Sequence, residues 1–148
     1  MVRRKLSGLV CLSAVALLAG IPSAAQETRQ VERRDVSSTT KMESVVSGYL
    51  AELNGKYKLR VSELTFKPGG FVGEHHHLAP GMRVVTSGEL TFVQPDKTTI
   101  YKAGDVFYEA GNVTHTAHNM TNAPVVLLSF EIVPVDLKGS TQVPPKSK

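Results

Sequence analysis

Turn-forming residues interrupt this sequence at short intervals from residue 54 onward, and this spacing leaves room for strands but not for long helices. Asn54-Gly55 is typical of a tight β-hairpin, because a type I′ turn needs positive φ at both central residues. Further breaks recur as far as Asn122-Ala123-Pro124, and the stretches between them alternate apolar and polar residues. Many short strands with closely spaced turns predict an all-β domain, either a small barrel or a sandwich.

The strongest predicted hairpin joins strands at residues 49–53 and 57–66 across Asn54-Gly55. Within the second strand the apolar parity shifts near Ser62-Glu63, which favours a bulge there. Pro68-Gly69-Gly70 then breaks the chain. Seven shorter strands are predicted after this break, at residues 71–77, 82–86, 89–94, 98–101, 106–108, 114–119 and 125–133.

Residues 1–25 have the pattern of a secretory signal peptide. The basic residues 3–5 precede an apolar run of about 16 residues, and small residues then lead to a predicted cleavage point after Ala25. The run is shorter than the ~20 residues needed to span a bilayer. We therefore predict a periplasmic or secreted protein with no stable membrane anchor after cleavage.

Loss of this segment removes the basic excess of the chain. The formal net charge is +4 for all 148 residues, whereas 14 basic and 13 acidic side chains remain after Ala25 and leave a net charge of +1. A nearly neutral chain has no excess of cations to neutralise phosphates, so no nucleic-acid partner is expected. The single cysteine, Cys11, falls within the predicted signal, which excludes a disulfide framework and a thiol nucleophile.

The rest of the chain divides into three predicted parts. Residues 26–45 are polar and lack sustained periodicity, which predicts a flexible lead-in. Residues 46–137 hold the predicted strands and form the one domain. Residues 138–148 are polar and contain proline, which predicts a disordered tail.

The histidines are the chemical signal of this sequence, since all five lie between positions 75 and 118. His75 and His77 share one face of a strand and lie about 6–7 Å apart at Cα, so they can converge on one ion. His115, on a later strand, supplies a third ligand inside a barrel. Two other interpretations stay open: a solvated polar patch at a strand end, or a shifted register that turns Glu74 and His76 inward.

Two spaced motifs resemble those of the cupins, a superfamily of small jelly-roll barrels also described as double-stranded β-helices. The matching positions of the first motif are Gly69, His75, His77, Gly81 and Gly88. Those of the second are Gly104, Ala110, Asn112, His115 and Asn119. This resemblance implies a single-domain cupin barrel with a metal site at His75, His77 and His115. Cupins include enzymes, binders and storage proteins, so the fold alone decides little about function.

The sequence departs from the cupin pattern at one metal ligand. Gly81, or Met82 if the gap is one residue longer, stands where the cupins have a glutamate. The implied ligand set is then three neutral imidazoles, which suit a divalent transition metal such as Fe, Zn, Cu, Ni, Co or Mn. The alternative is that loss of the glutamate has weakened the site, and that the pocket binds a small molecule without metal.

Four further residues are candidates for contact with a small-molecule ligand or substrate. Arg83 follows the missing ligand and can meet a carboxylate as a bidentate donor. Tyr101 and Tyr108 offer phenol groups, and Asn119 shares a strand face with His115. No inward-facing Asp or Glu is identified from the sequence, so no catalytic residue is assigned.

Two functions follow from the resemblance. The first is a metal-dependent enzyme that acts on a small organic molecule, with dioxygenase-like, isomerase or lyase chemistry. The second is a binding or sensing module without catalysis. Small cupins often pair through sheet edges, so a homodimer is also expected from the resemblance.

Overall fold

The computed structural model describes residues 30–145, which form one sheet that curls into a nearly closed barrel. These residues contain nine strands and no helix, and the prediction of an all-β fold is confirmed. The strands are β1 (Arg33–Val45), β2 (Tyr57–His77), β3 (Gly81–Ser87), β4 (Glu89–Gln94), β5 (Lys97–Lys102), β6 (Val106–Glu109), β7 (His115–His118), β8 (Val125–Pro134) and β9 (Gln142–Val143). Their order in the sheet is β5-β4-β7-β2-β8-β3-β6, and β1 and β9 both pair with β2.

The described range bears on the predicted signal peptide and on membrane spans as follows. The predicted signal peptide, residues 1–25, falls outside the described residues. Among residues 30–145, no helix has the length and hydropathy needed to cross a membrane.

Strand β1 occupies most of the segment predicted as a flexible lead-in, so that prediction does not hold over residues 33–45. β1 runs antiparallel to β2, from the pair Arg33 and Val72 to the pair Val45 and Lys58. Its polar sequence is compatible with a strand because the facing part of β2 is polar as well. Glu43 Oε1 accepts a hydrogen bond from Arg60 Nε at 2.6 Å, and its Oε2 lies 3.1 Å from Lys58 Nζ.

The first hairpin is therefore formed by β1 and β2, and the predicted strand at residues 49–53 is wrong. Residues 47–56 form a chain of turns that joins the two strands, and Tyr49 and Leu50 are exposed there. Gly55 has φ of 70°, as the Asn-Gly signal indicates. Asn54 lacks the positive φ that a type I′ turn requires, so the predicted turn type is wrong, and the strand that pairs with β2 ends farther back along the chain, at Val45.

A β-bulge in β2 decides which side chains face the barrel interior. From Lys58 to Val72 the buried positions of β2 are even-numbered, whereas His75 and His77 are buried at its end. The pairing with β7 shifts register between Val72 and His75, around Gly73-Glu74. At Ser62-Glu63, where a bulge in β2 was predicted, β2 pairs regularly with β8, and the register shift at this level lies in β1 between Thr40 and Met42. The bulge at Gly73-Glu74 brings His75 and His77 inward instead of Glu74 and His76.

The apolar core fills the barrel where β2, β3, β4, β6, β7 and β8 meet. Its buried members are Phe66, Val72, Val85, Leu90, Phe92, Phe107, Ala117, Val125 and Leu127. Asn119 is also completely buried, and it ties the turn after β7 to β2. Its Nδ2 donates to the carbonyl oxygens of Phe66 at 3.1 Å and Ala123 at 2.8 Å, and its Oδ1 accepts from the Thr121 backbone N–H at 3.0 Å.

These contacts predict that Asn119→Ala lowers the free energy of unfolding by about 2–4 kcal/mol, because several buried backbone groups lose their partner at once. Urea unfolding followed by circular dichroism measures the loss. Asn122→Ala, at an exposed position of the same turn, is the control and should change the stability by less than about 0.5 kcal/mol. Equal stability of the two variants would contradict this role of Asn119.

Candidate metal centre

The structure brings together the three histidines that the sequence singled out. His75 and His77 lie at the end of β2, and His75 is the cross-strand partner of His115 at the start of β7. All three side chains are buried, and one ring nitrogen from each lies within 4.8 Å of the other two. Three buried imidazoles at this separation form a compact set of nitrogen donors.

Each imidazole is fixed by a hydrogen bond from its other nitrogen. Nδ1 of His75 donates to the Gly73 carbonyl oxygen at 2.7 Å, and Nδ1 of His115 donates to that of Val113 at 3.0 Å. Nδ1 of His77 lies 3.2 Å from Glu131 Oε1. Because every Nδ1 has an acceptor within hydrogen-bonding distance, each ring can carry its proton there and leave Nε2 for an ion, as in most histidines that bind metals.

Burial keeps His75 and His115 in the neutral form that metal binding requires. Desolvation, together with the smaller effect of the neighbouring His115, lowers the pKa of His75 to about 3. Desolvation also lowers the pKa of His115, against the opposing effect of a nearby carboxylate, Glu109. Neutral imidazoles with free lone pairs do not have to lose a proton before they bind an ion.

Two buried glutamates, which the sequence analysis did not identify as inward-facing, complete the surroundings of the histidines. Glu109 ends β6 and Glu131 lies in β8, and both are 7% exposed. Oε2 of Glu109 lies 3.3 Å from Nε2 of His77, and its Oε1 lies 3.5 Å from Nε2 of His115. Arg83 lies between the two acids, with Nη2 at 2.5 Å from Glu109 and 3.2 Å from Glu131.

Glu131 remains ionised in this environment. Burial alone raises the pKa of its carboxyl group, but the hydrogen bond from His77 and the charge of Arg83 outweigh burial and bring the pKa down to about 2. The hydroxyl of Thr141 adds a third interaction, since it donates to Glu131 Oε1 at 2.7 Å. A charged Glu131 holds the Nδ1 proton of His77 in place.

A signal for one of these acids was present in the sequence. Side chains alternate along a strand, so Glu109 shares its face with Phe107, a core residue. The inward position of Phe107 therefore implies the inward position of Glu109. No such signal exists for Glu131, because β8 has apolar residues on both faces.

Of the four residues predicted to contact a substrate, Arg83 alone lines the main cavity. Tyr108 is 66% exposed on the outer face of the barrel, which does not fit its predicted role. Tyr101 stacks on Phe107 with ring centroids 3.9 Å apart, so it packs against the core. Asn119 is occupied by backbone groups and acts as a structural residue.

The three histidines open into a cavity of about 520 Å³ inside the barrel. One part of its wall is apolar and includes Phe66, Leu90 and Leu127. Another part is polar, with Ser62 and Ser129 facing each other across β2 and β8. A cavity of this size, with few polar groups among apolar ones, fits a small organic molecule.

The C-terminal segment also reaches the site, so the predicted disordered tail does not hold for residues 139–143. β9 pairs with His76 and His77 of β2, and Thr141 is buried with its hydroxyl 3.0 Å from Nδ1 of His77. Arg60 Nη1 donates to the Gly139 carbonyl oxygen at 2.7 Å. The guanidinium group of Arg60 thus satisfies a backbone carbonyl group of this segment. The sequence pattern did not indicate this contact.

Comparisons with known proteins agree with this architecture. The family model for the cupin domain matches residues 62–131. A cupin domain from Bordetella pertussis is 22% identical, with 68% of this chain and 96% of that chain covered and a TM-score of 0.51. The polyketide cyclase RemF from Streptomyces resistomycificus is 14% identical, with coverages of 76% and 83% and a TM-score of 0.54.

A third similar structure is a Cupin 2 conserved barrel domain protein from Salinispora arenicola, 18% identical over 69% of this chain and 80% of that chain, with a TM-score of 0.51. At these identities the likeness shows the fold, which is the jelly-roll barrel expected from the two motifs. A search of the curated proteins gave no match.

The contact between Thr141 and His77 predicts a measurable effect on metal affinity. Thr141→Val removes the hydroxyl that supports both His77 and Glu131, so we expect the affinity for Co²⁺ to fall by about tenfold. Competition with a chromophoric chelator measures this change. Ser140→Ala, in the same segment, is the control and should keep the parent affinity; a Thr141→Val protein that binds Co²⁺ equally well would refute the supporting role.

Proposed function

We propose that this chain, which the cupin-domain family model matches over residues 62–131, holds a divalent transition metal on His75, His77 and His115 and acts on a small organic molecule. One observation carries the proposal: three buried imidazoles form one compact group of ring nitrogens, and the Nδ1 atom of each has a hydrogen-bond acceptor, which leaves Nε2 as the nitrogen for an ion. When bound, such an ion supplies Lewis acidity and open coordination positions, which serve dioxygenase-like, isomerase or lyase chemistry.

The residues of the barrel provide what such a reaction needs around the ion. The apolar walls at Phe66, Leu90 and Leu127 keep bulk water away from a bound substrate. The hydroxyl groups of Ser62 and Ser129 offer donors that orient polar groups of that substrate. Glu131 fixes the orientation of His77, and Arg83 balances the charge of the buried acids.

The second candidate is a binding or sensing module with the same cavity and no catalysis. The observation that favours it is that Arg83, the one cavity residue predicted to bind substrate, is already paired with two carboxylates. Loss of a substrate that depends on the bound metal would support the enzyme. Saturable binding of a molecule that is recovered unchanged would support the binding module.

We also propose that the protein acts in the periplasm or outside the cell. The support is the sequence pattern of residues 1–25, in which a basic start, an apolar run and small residues follow one another. The mature chain would then contain no cysteine, so its chemistry would not depend on the redox state of a thiol.

Metal analysis tests the central proposal directly. We expect the protein, purified without a histidine tag and reconstituted with Fe²⁺, Co²⁺, Ni²⁺, Cu²⁺, Mn²⁺ and Zn²⁺ in turn, to hold close to one equivalent of at least one of them. His77→Ala should lose that metal, since it removes one of three ligands. His76→Ala is the matched control, because the His76 side chain lies on the other face of β2. Absence of tightly bound metal in the unmodified protein would overturn the proposal.

The homodimer remains a prediction, and the outer face of the barrel is the surface that fits it. A row of neighbouring side chains crosses four strands there: Val61, Phe130, Met82 and Tyr108. The last three are 38%, 52% and 66% exposed, and an apolar row of this width favours burial against a second copy through the same surface.

Phe130→Asp tests this surface, since it places a charge at the centre of the row. Sedimentation velocity should show a dimer for the unmodified protein and a monomer for the variant. Ile100→Asp, at an exposed apolar position of β5, is the control and should remain dimeric. A monomeric unmodified protein would show that the prediction is wrong.

A further inference from the structure

Gly81, which stands in place of the motif glutamate, lies between two glutamates of neighbouring strands. In the sheet it is the cross-strand partner of both Glu109 in β6 and Glu131 in β8. Inward-facing residues of one row in a sheet lie side by side. The row therefore contains two carboxylates at the level where the cupin motif places one, and neither comes from β3.

The space that a side chain at residue 81 would need is filled by Arg83. A Cβ atom at Gly81 would collide with Arg83 Nη1 and would lie 2.8 Å from the Phe130 carbonyl oxygen. A glutamate at this position would therefore require the guanidinium group to move from its observed place, and the Phe130 backbone to shift as well. The arginine in turn contacts Glu109 and Glu131.

The formal charge of this group equals that of the missing ligand. Glu109 and Glu131 contribute two negative charges and Arg83 one positive charge. The net charge of −1 is what a single motif glutamate would provide beside a divalent ion. With a divalent ion the group would carry a net charge of +1, the same as one glutamate and one such ion.

The two carboxylates contact different nitrogen atoms of His77. Glu131 contacts His77 at Nδ1, on the side of the ring that faces away from the free lone pair. Glu109 instead contacts Nε2 of His77 at 3.3 Å and Nε2 of His115 at 3.5 Å. Donor atoms that share one ion, with bonds of about 2.1 Å, lie about 3.0–3.5 Å apart, so these separations fit ligands of a common metal.

One carboxylate oxygen of Glu109 also lacks a hydrogen bond. Its Oε2 is buried and makes no aligned hydrogen bond, although Arg83 Nη2 is close. A buried carboxylate oxygen without a hydrogen bond is costly, and a metal ion beside the two Nε2 atoms would satisfy it.

We propose that Glu109 is the fourth protein ligand of the metal, so that β6 supplies the carboxylate that β3 lacks. This inference rests on the proposed function, because it completes the same site. The ligand set becomes three imidazoles and one carboxylate, which is better suited to harder ions such as Fe²⁺ and Mn²⁺ than three imidazoles alone. Arg83 is the counter-ion that holds Glu109 before the ion binds.

The test compares Glu109→Gln with Glu131→Gln, since both substitutions remove one buried negative charge from the same row. Cobalt(II) alone is the probe, and its visible absorption spectrum reports the coordination of the ion. For Glu109→Gln we expect the affinity to fall by at least about tenfold and the absorption bands to change in position and intensity. For Glu131→Gln we expect a loss of affinity without a change in the shape of the bands.

A second pair of variants keeps the proposal testable if Glu109→Gln does not fold. Glu109→Cys places a thiol at the proposed ligand position, and a thiolate bound to cobalt adds a charge-transfer band in the near ultraviolet. Glu131→Cys, the matched control, should not show this band. A Glu109→Gln protein with the unmodified spectrum, or no charge-transfer band in a folded Glu109→Cys protein, would overturn the assignment.

These outcomes differ from a failure of the proposed function. If the unmodified protein binds no cobalt, the metal site itself is refuted. If the unmodified protein and both Glu109 variants bind cobalt with one and the same spectrum, the site stands on three histidines and only the role of Glu109 is refuted.

Discussion

The bulge at Gly73-Glu74 is the constraint on which the site depends. Without it, the even-numbered face of β2 would continue inward and place Glu74 and His76 in the barrel. With it, one strand presents a polar wall from Lys58 to Ser62 and then a pair of histidines on the same inner surface. The bulge also supports the chemistry directly, since the carbonyl oxygen of Gly73 accepts the Nδ1 proton of His75.

The buried charges near the histidines are hard to explain by stability alone. Arg83, Glu109 and Glu131 are each at least 93% buried, and burial of ion pairs in place of apolar side chains is often neutral or destabilising. The row that holds Glu109, Gly81 and Glu131 continues into β2 and β1, where Arg60 is the cross-strand partner of Glu131 and Glu43 is that of Arg60. Arg60 pairs with Glu43, and Arg83 pairs with both Glu109 and Glu131. Such a group of charges is expected where a protein must hold an ion or a polar substrate inside a barrel.

The sequence predicted the fold class and the three histidines because these depend on local turns and on fixed spacing. It failed where the outcome depends on the partner strand. Which side chains of β2 face inward depends on the bulge at Gly73-Glu74, and a glycine in the sequence does not by itself predict a bulge. The polar strand β1 forms because Glu43 contacts Lys58 and Arg60 across the sheet. Glu109 was within reach of sequence reasoning through its shared face with Phe107, whereas Glu131 and Thr141 became visible only once the strands were assembled.

The placement of the C-terminal segment links the order of the chain end to the state of the site. Thr141 and β9 both contact the part of the chain that holds His77, and Arg60 binds the Gly139 carbonyl oxygen from the barrel wall. An ion that requires His77 in this orientation therefore stabilises the docked segment, and the docked segment favours the ion by the same free energy. The stability of the docked segment is therefore coupled to the metal site. Its composition, which includes two prolines and several small polar residues, is nevertheless typical of a disordered tail.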